Sequence, residues 1–271
     1  MTTLIKTLNL PLPAAFVWDA LLDVGALHRR LVCGFVQDTQ LEGAVRTVQF
    51  ANGMSVREDI VGTDHRHRRL AYTASGRAQY HHASVQVTPR GDMACTLVWT
   101  TDVLPQDLAP AIDQMMDAGL SAMQPTLTAQ WAATCWATLE VPATQQAVYA
   151  ALADPVRLAR WWGPEGFSNR FEICDIRPGG AWRFVMFDAQ GHSWDNVCEW
   201  QAVQAGEYVR VRHVNAPQFE LSIHLQPGDW GTRIEWMQRF DDAATADRLR
   251  AVCEPANRQN LQRWASEVSA F

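Results

Sequence analysis

The residues best suited to acid–base chemistry in this 271-residue chain lie in its first half. Arg57 and Glu58 are adjacent on one strand-like run, and Tyr80, His81 and His82 open another. A histidine beside a carboxylate can act as a general acid–base pair, because its ordinary pKa lies near working pH. Successive strand residues face opposite sides, so only one of His81 and His82 can point inward. His82, Glu58 and Arg57 form the candidate catalytic set. A metal site is not expected. His65, His67, His81 and His82 have no carboxylate or cysteine partner at ligand spacing, and the six cysteines are scattered without a Cys-x-x-Cys. A Gly-x-Ser-x-Gly elbow, a phosphate loop and a dinucleotide fingerprint are all missing, so no cofactor is expected either.

A second kind of chemistry is apolar binding. Ten of the twelve tryptophans lie at or after Trp131. Between Ser193 and Val203, Trp194, Asn196, Cys198 and Trp200 share one face of a strand. Between Phe219 and Gln226, Phe219, Leu221, Ile223 and Leu225 share a face opposite Glu220, Ser222 and His224. The apolar set is the one expected on the concave side of a sheet. Trp236 and Trp99 lie on the last strands of their halves, beside a long helix. In Trp161-Trp162-Gly163-Pro164 the two indoles leave a helix about 100° apart, so one is expected in the core and the other nearer a cavity mouth. Trp99, Trp161, Trp162, Trp194, Trp200, Phe219 and Trp236 are the candidate ligand-binding residues, with core packing as the competing role for each.

The elements that position these side chains occur twice. Val17 to Asp23 superposes on Val148 to Asp154, with Leu8 on Leu139 and Pro11 on Pro142. Gly91-Asp92, Cys95, Leu97 and Trp99 superpose on Gly228-Asp229, Thr232, Ile234 and Trp236. The first copy reads as a strand over 4–10, short helices from about Pro13 and over 26–31, and six further strands. Those are expected at 35–42, 44–50, 54–62, 69–74, 80–88 and 94–103, with Asn52-Gly53 as a two-residue hairpin turn. Leu108, Ile112, Met115, Met116, Gly119, Met123 and Leu127 then recur at helical spacing. The second copy repeats the order, with strands at 134–141, 167–177, 181–187, 193–203, 208–213, 219–226 and 232–240. Short helices are expected at 144–153 and from Asp154-Pro155 to Trp161-Trp162, and a long one near 243–268. Pro255 inside that last helix predicts a kink or a broken turn. Consecutive hairpins require antiparallel pairing, so each copy is an α+β unit in which a curved seven-stranded sheet wraps a long C-terminal helix. The domains are expected at 1–130 and 131–271.

Charge excludes one large class of partner. Lys and Arg number 10 against 12 Asp and Glu through Gln130, and 13 against 17 after it, so neither half carries a nucleic-acid footprint. The densest basic run, His65 to Arg69, reads as a solvated loop. No apolar stretch is long enough for a membrane span, and Met1 to Lys6 reads as a strand rather than a signal peptide, so a reduced, cytoplasmic setting is expected. No feature specifies an oligomeric state.

Several motifs of the second copy carry a family resemblance. Ala153-Asp154-Pro155, Trp161-Trp162-Gly163-Pro164, the run from Asp175 through Arg177-Pro178-Gly179-Gly180 to Trp182, Gly231-Thr232-Arg233 and Pro255-Ala256-Asn257 are together similar to the activator of heat-shock-protein ATPase-like branch of the START-like (SRPBCC, birch-pollen-allergen-like) superfamily. The first copy resembles the polyketide cyclase/dehydrase-like branch through its element order, Val17-Trp18 and its final helix. The resemblance implies a helix-grip fold with a cavity between sheet and helix, and an apolar ligand such as a lipid or a polyketide. It also implies two alternatives: a heat-shock chaperone as partner, or cyclase- or hydrolase-type catalysis in the N-terminal cavity.

Overall fold

The computed structural model describes residues 1–270, which divide into two compact units meeting between Trp131 and Ala132. In the first, β1 (Thr2–Leu10) leads into α1 (Ala14–Leu22) and α2 (Leu27–Arg30). Six strands follow, β2 (Val36–Glu42), β3 (Val45–Phe50), β4 (Ser55–Asp64), β5 (Arg69–Ser75), β6 (Tyr80–Pro89) and β7 (Cys95–Leu104), and then α3 (Ala109–Ala132). The second unit repeats this with β8 (Thr134–Val141), α4 (Gln145–Ala153) and α5 (Pro155–Trp161). Its remaining elements are β9 (Ser168–Cys174), β10 (Ala181–Phe187), β11 (Ser193–Gln204), β12 (Tyr208–His213), β13 (Phe219–Pro227), β14 (Thr232–Phe240) and α6 (Ala243–Ser269).

Both sheets are fully antiparallel and share one topology, β1-β7-β6-β5-β4-β3-β2 and β8-β14-β13-β12-β11-β10-β9. The repeat extends to irregularities. Register shifts fall between β2 and β3 and between β4 and β5, and at the matching places between β9 and β10 and between β11 and β12. Such bulges bend a strand and raise its twist, which lets each sheet curl over its helix.

The first turns of the helices follow from local chemistry. Asp154 caps α5, its Oδ1 accepting from Val156 N at 2.8 Å, and Pro155 occupies the first turn where its missing N–H costs nothing. Asp242 caps α6 by accepting from Thr245 N at 2.7 Å. In the first unit the buried Arg30 donates to Asp19 of α1 at 2.6 Å and to Gln130 of α3, tying three helices together.

Two sequence expectations need correction. The β3–β4 connection is not a two-residue turn: Phe50 N donates to Met54 O at 2.8 Å around a three-residue loop in which Gly53, at φ +84°, is the left-handed residue. Asn52 keeps ordinary φ and instead accepts from Met54 N through its side chain at 3.0 Å. Of the two outcomes expected at Pro255, a kink or a broken turn, the break is not seen: α6 runs continuously from Ala243 to Ser269.

Candidate functional site

A cavity of about 510 Å³ lies between the concave face of the first sheet and α3. Strand alternation supplies its walls. Arg46, Val48 and Phe50 face inward from β3, Val56 and Glu58 from β4, and Leu70, Tyr72 and Ala74 from β5. His81 and Val85 of β6 and Trp99 and Thr101 of β7 complete the sheet side. The helix contributes Ile112, Met115, Met116, Gly119 and Met123, so much of the roof is unbranched thioether that adapts to the shape of what it covers.

Arg46, Glu58 and Tyr72 form a polar cluster in this shell, whose lining also holds Ser55, Ser75, Arg77, His81 and Thr101. Arg46, only 4% exposed, donates from Nε to Glu58 Oε2 at 2.6 Å, and its guanidinium carbon lies 5.0 Å from the Tyr72 ring centroid. The Arg46 NH1 nitrogen is buried without a partner, as is Thr101 Oγ1, while the Trp99 indole hydrogen-bonds the Tyr72 hydroxyl. The Tyr72 phenol is pushed far up, first by burial and then by the Glu58 carboxylate, so it stays a neutral hydroxyl. His81 accepts from Ala74 N at Nδ1 (3.0 Å), continuing β5–β6 pairing past its last ladder partners, Tyr72 and Ala83. That bond puts the ring proton on Nε2, and burial, aided by His82, holds the His81 pKa below its ordinary value.

This geometry revises the candidate catalytic set. Glu58 lines the cavity but is engaged by Arg46. Arg57, one residue earlier, faces away and lies 3.9 Å from Asp59 with most of its side chain in solvent. His82 is likewise out of phase; it is His81 that shares the inward face with Ala83, Val85 and Val87 by register. Arg46, Tyr72 and Thr101 were not among the sequence candidates, although Arg46 alternates in phase with Val48 and Phe50.

In the second unit the equivalent space is occupied by aromatic rings. Trp162 projects from the end of α5 into it, with ring centroids 4.6 Å from Trp182 and 5.3 Å from Trp236. Trp182 stacks on Trp200 at 5.0 Å and on Phe184 at 4.7 Å. The indole nitrogens of Trp182, Trp200 and Trp236 are buried there without hydrogen-bond partners. Trp161 turns the other way, stacking on Trp264 of α6 at 4.5 Å and donating to Ala151 O at 2.9 Å. Phe219 sits apart from the cluster, between His213 and Phe240. Trp194 shares a strand face with Trp200 but lies at the beginning of β11, 47% exposed, against Phe167. Of the seven aromatic candidates only Trp99 borders the large cavity.

The motifs of the second copy fix its frame. Gly163 N donates to Asn260 Oδ1 at 2.5 Å, and Arg263 donates to the carbonyls of Gly163 (2.6 Å), Pro164 (2.7 Å), Arg160 (2.6 Å) and Phe167 (3.1 Å). The Trp-Trp-Gly-Pro turn is therefore the seat of α6. In the Pro178-Gly179-Gly180 turn, a Cβ at Gly180 would lie 1.9 Å from Asp175 O, so only glycine fits.

Comparison with known proteins agrees with this division. A family model described as polyketide cyclase / dehydrase and lipid transport matches residues 1–128, and one described as activator of Hsp90 ATPase homolog 1-like protein matches residues 142–268. No curated protein sequence matches the chain. Among solved structures, a protein from Nitrosomonas europaea is similar at 18% identity and TM-score 0.48, covering 51% of this chain and 96% of its own. One from Chromobacterium violaceum is 24% identical with TM-score 0.46, covering 50% of this chain and 96% of its own. The di-domain ARO/CYC BexL from the BE-7585A biosynthetic pathway covers 100% of this chain and 98% of its own, at 15% identity and TM-score 0.43.

Proposed function

Because the chain is a tandem of START-like (SRPBCC) helix-grip domains, polyketide cyclase/dehydrase-like in its first half and activator-of-Hsp90-ATPase-like in its second, we propose that it binds one small apolar or aromatic ligand in the N-terminal cavity. The observation that carries this reading is the hollow itself, about 510 Å³ under α3. Ligand sites in general span about 300–1,000 Å³ and combine apolar walls with a few convergent polar groups. Residues 1–130 are then the binding domain. Residues 131–271 form a companion whose own grip is held by its indoles.

A binding role fits the polar cluster better than turnover does. Glu58 is the only carboxylate among the residues lining the cavity, and its pairing with Arg46 at 2.6 Å leaves it a poor general base. A chaperone-directed role for the second domain has the family description behind it and is tested by stimulation of a cognate heat-shock ATPase. The direct test of binding is native mass spectrometry of the purified chain with a panel of lipids and aromatic polyketides. One bound molecule per chain is expected; a chain that retains nothing across the panel would remove the reading.

Among the described residues no helix is long and apolar enough to cross a membrane.

A further inference from the structure

The polar atoms that line the N-terminal cavity specify more than apolarity. On the reading that this cavity binds a ligand, we infer that the ligand carries a neutral hydrogen-bond-accepting oxygen, a carbonyl, that docks on Arg46, and that the site selects against free carboxylates.

The sign of the interaction follows from what is unpaired. Arg46 NH1 can only donate, and the Thr101 hydroxyl can donate. Arg46 reaches the cavity from β3 and Thr101 from β7, near opposite sides of the sheet, and both residues line the same space. Buried donors without partners are rare in folded proteins because each carries an uncompensated desolvation penalty. An acceptor atom in the cavity relieves it.

The charge of that acceptor follows from Glu58. The Arg46 guanidinium is already matched by this carboxylate at 2.6 Å, and both side chains are at least nine-tenths buried. A ligand carboxylate beside them would put two anions on one cation in an apolar enclosure, because the other lining arginine, Arg77, is exposed in the β5–β6 connection. A ketone oxygen takes the free guanidinium N–H without adding charge.

Three fluorescent probes on one skeleton separate the possibilities: 1-acetylpyrene, 1-ethylpyrene and pyrene-1-carboxylate, titrated into the full chain at pH 8. The ketone is expected to bind about ten-fold or more tighter than the hydrocarbon, the worth of one hydrogen bond to a charged group, and the carboxylate weakest of the three. In Arg46→Met/Glu58→Met, which removes the pair together and so strands no charge, the ketone preference is expected to fall to within about two-fold while 1-ethylpyrene still binds. Equal binding of ketone and hydrocarbon by the natural chain overturns the carbonyl inference and leaves the cavity reading standing. Tightest binding by the carboxylate overturns the neutrality argument. If none of the three binds, the cavity reading itself fails, and this inference with it. The comparison on the natural chain stands even where the double variant does not fold.

Discussion

Gly119 of α3 lies directly against Trp99 of β7: a Cβ at position 119 would sit 3.0 Å from the indole Cζ3 and 3.5 Å from Phe35 Cε1. Glycine inside a helix costs about 1 kcal/mol relative to alanine, so its place here is explained by the close approach of the indole. Gly119→Leu should drive the ring into the cavity. Pyrene-ketone affinity is expected to fall at least ten-fold, with about 1–3 kcal/mol of overpacking cost, read by fluorescence titration and thermal melting.

The His81–Ala74 bond gives a pH dependence with a definite sign. His81 is held neutral in the folded chain, with its pKa below the ordinary value of about 6.5. The unfolded chain therefore takes up a proton first as the pH falls. The stabilisation is complete above that ordinary value and is lost as the pH drops below it toward the folded pKa. The Tm difference between pH 7.5 and 5.5 should shrink in His81→Gln, whose amide oxygen can accept from Ala74 N without titrating. An unchanged difference would remove His81 from the account.

Arg263 should hold the second domain together through the four carbonyls it reaches at 2.6–3.1 Å. Arg263→Met is expected to cost about 2–4 kcal/mol, since it leaves acceptors of a partly buried turn unpaired while keeping the stem. Chemical denaturation followed by tryptophan emission measures it. A cost under about 0.5 kcal/mol would mean that Trp162-Gly163-Pro164 is held by packing alone.

Trp162 fills the grip of the second domain, and its removal should make that grip resemble the first. Trp162→Ala is expected to destabilise by about 3 kcal/mol and to open an apolar void. Added indole should restore part of the lost Tm, as small aromatics occupy such voids. Absence of any indole effect would argue that the neighbouring rings collapse into the space.

The backbone was largely legible because hairpin punctuation and period-two alternation are local signals. The expected bounds of the strands Thr134–Val141, Ala181–Phe187, Tyr208–His213 and Thr232–Phe240 match the observed ones. The phase of β6 was legible too: Ala83, Val85 and Val87 run in step with His81, not His82. What the sequence could not show locally is why equivalent residues diverge. Trp99 and Trp236 occupy matching positions on matching strands. Trp236 meets Trp162 from across the grip, whereas Trp99 meets a glycine and an open volume. That difference depends on residues far away in the chain. Arg46 was missed for a related reason, since its buried partner, Glu58, lies on the neighbouring strand.

Native mass spectrometry with 1-acetylpyrene, comparing the natural chain with Met115→Trp, tests the central claim most directly. The indole at position 115 would fill the space beneath α3. One bound probe per natural chain and none on the variant is the predicted result; an empty natural chain, or equal occupancy in both, would contradict it.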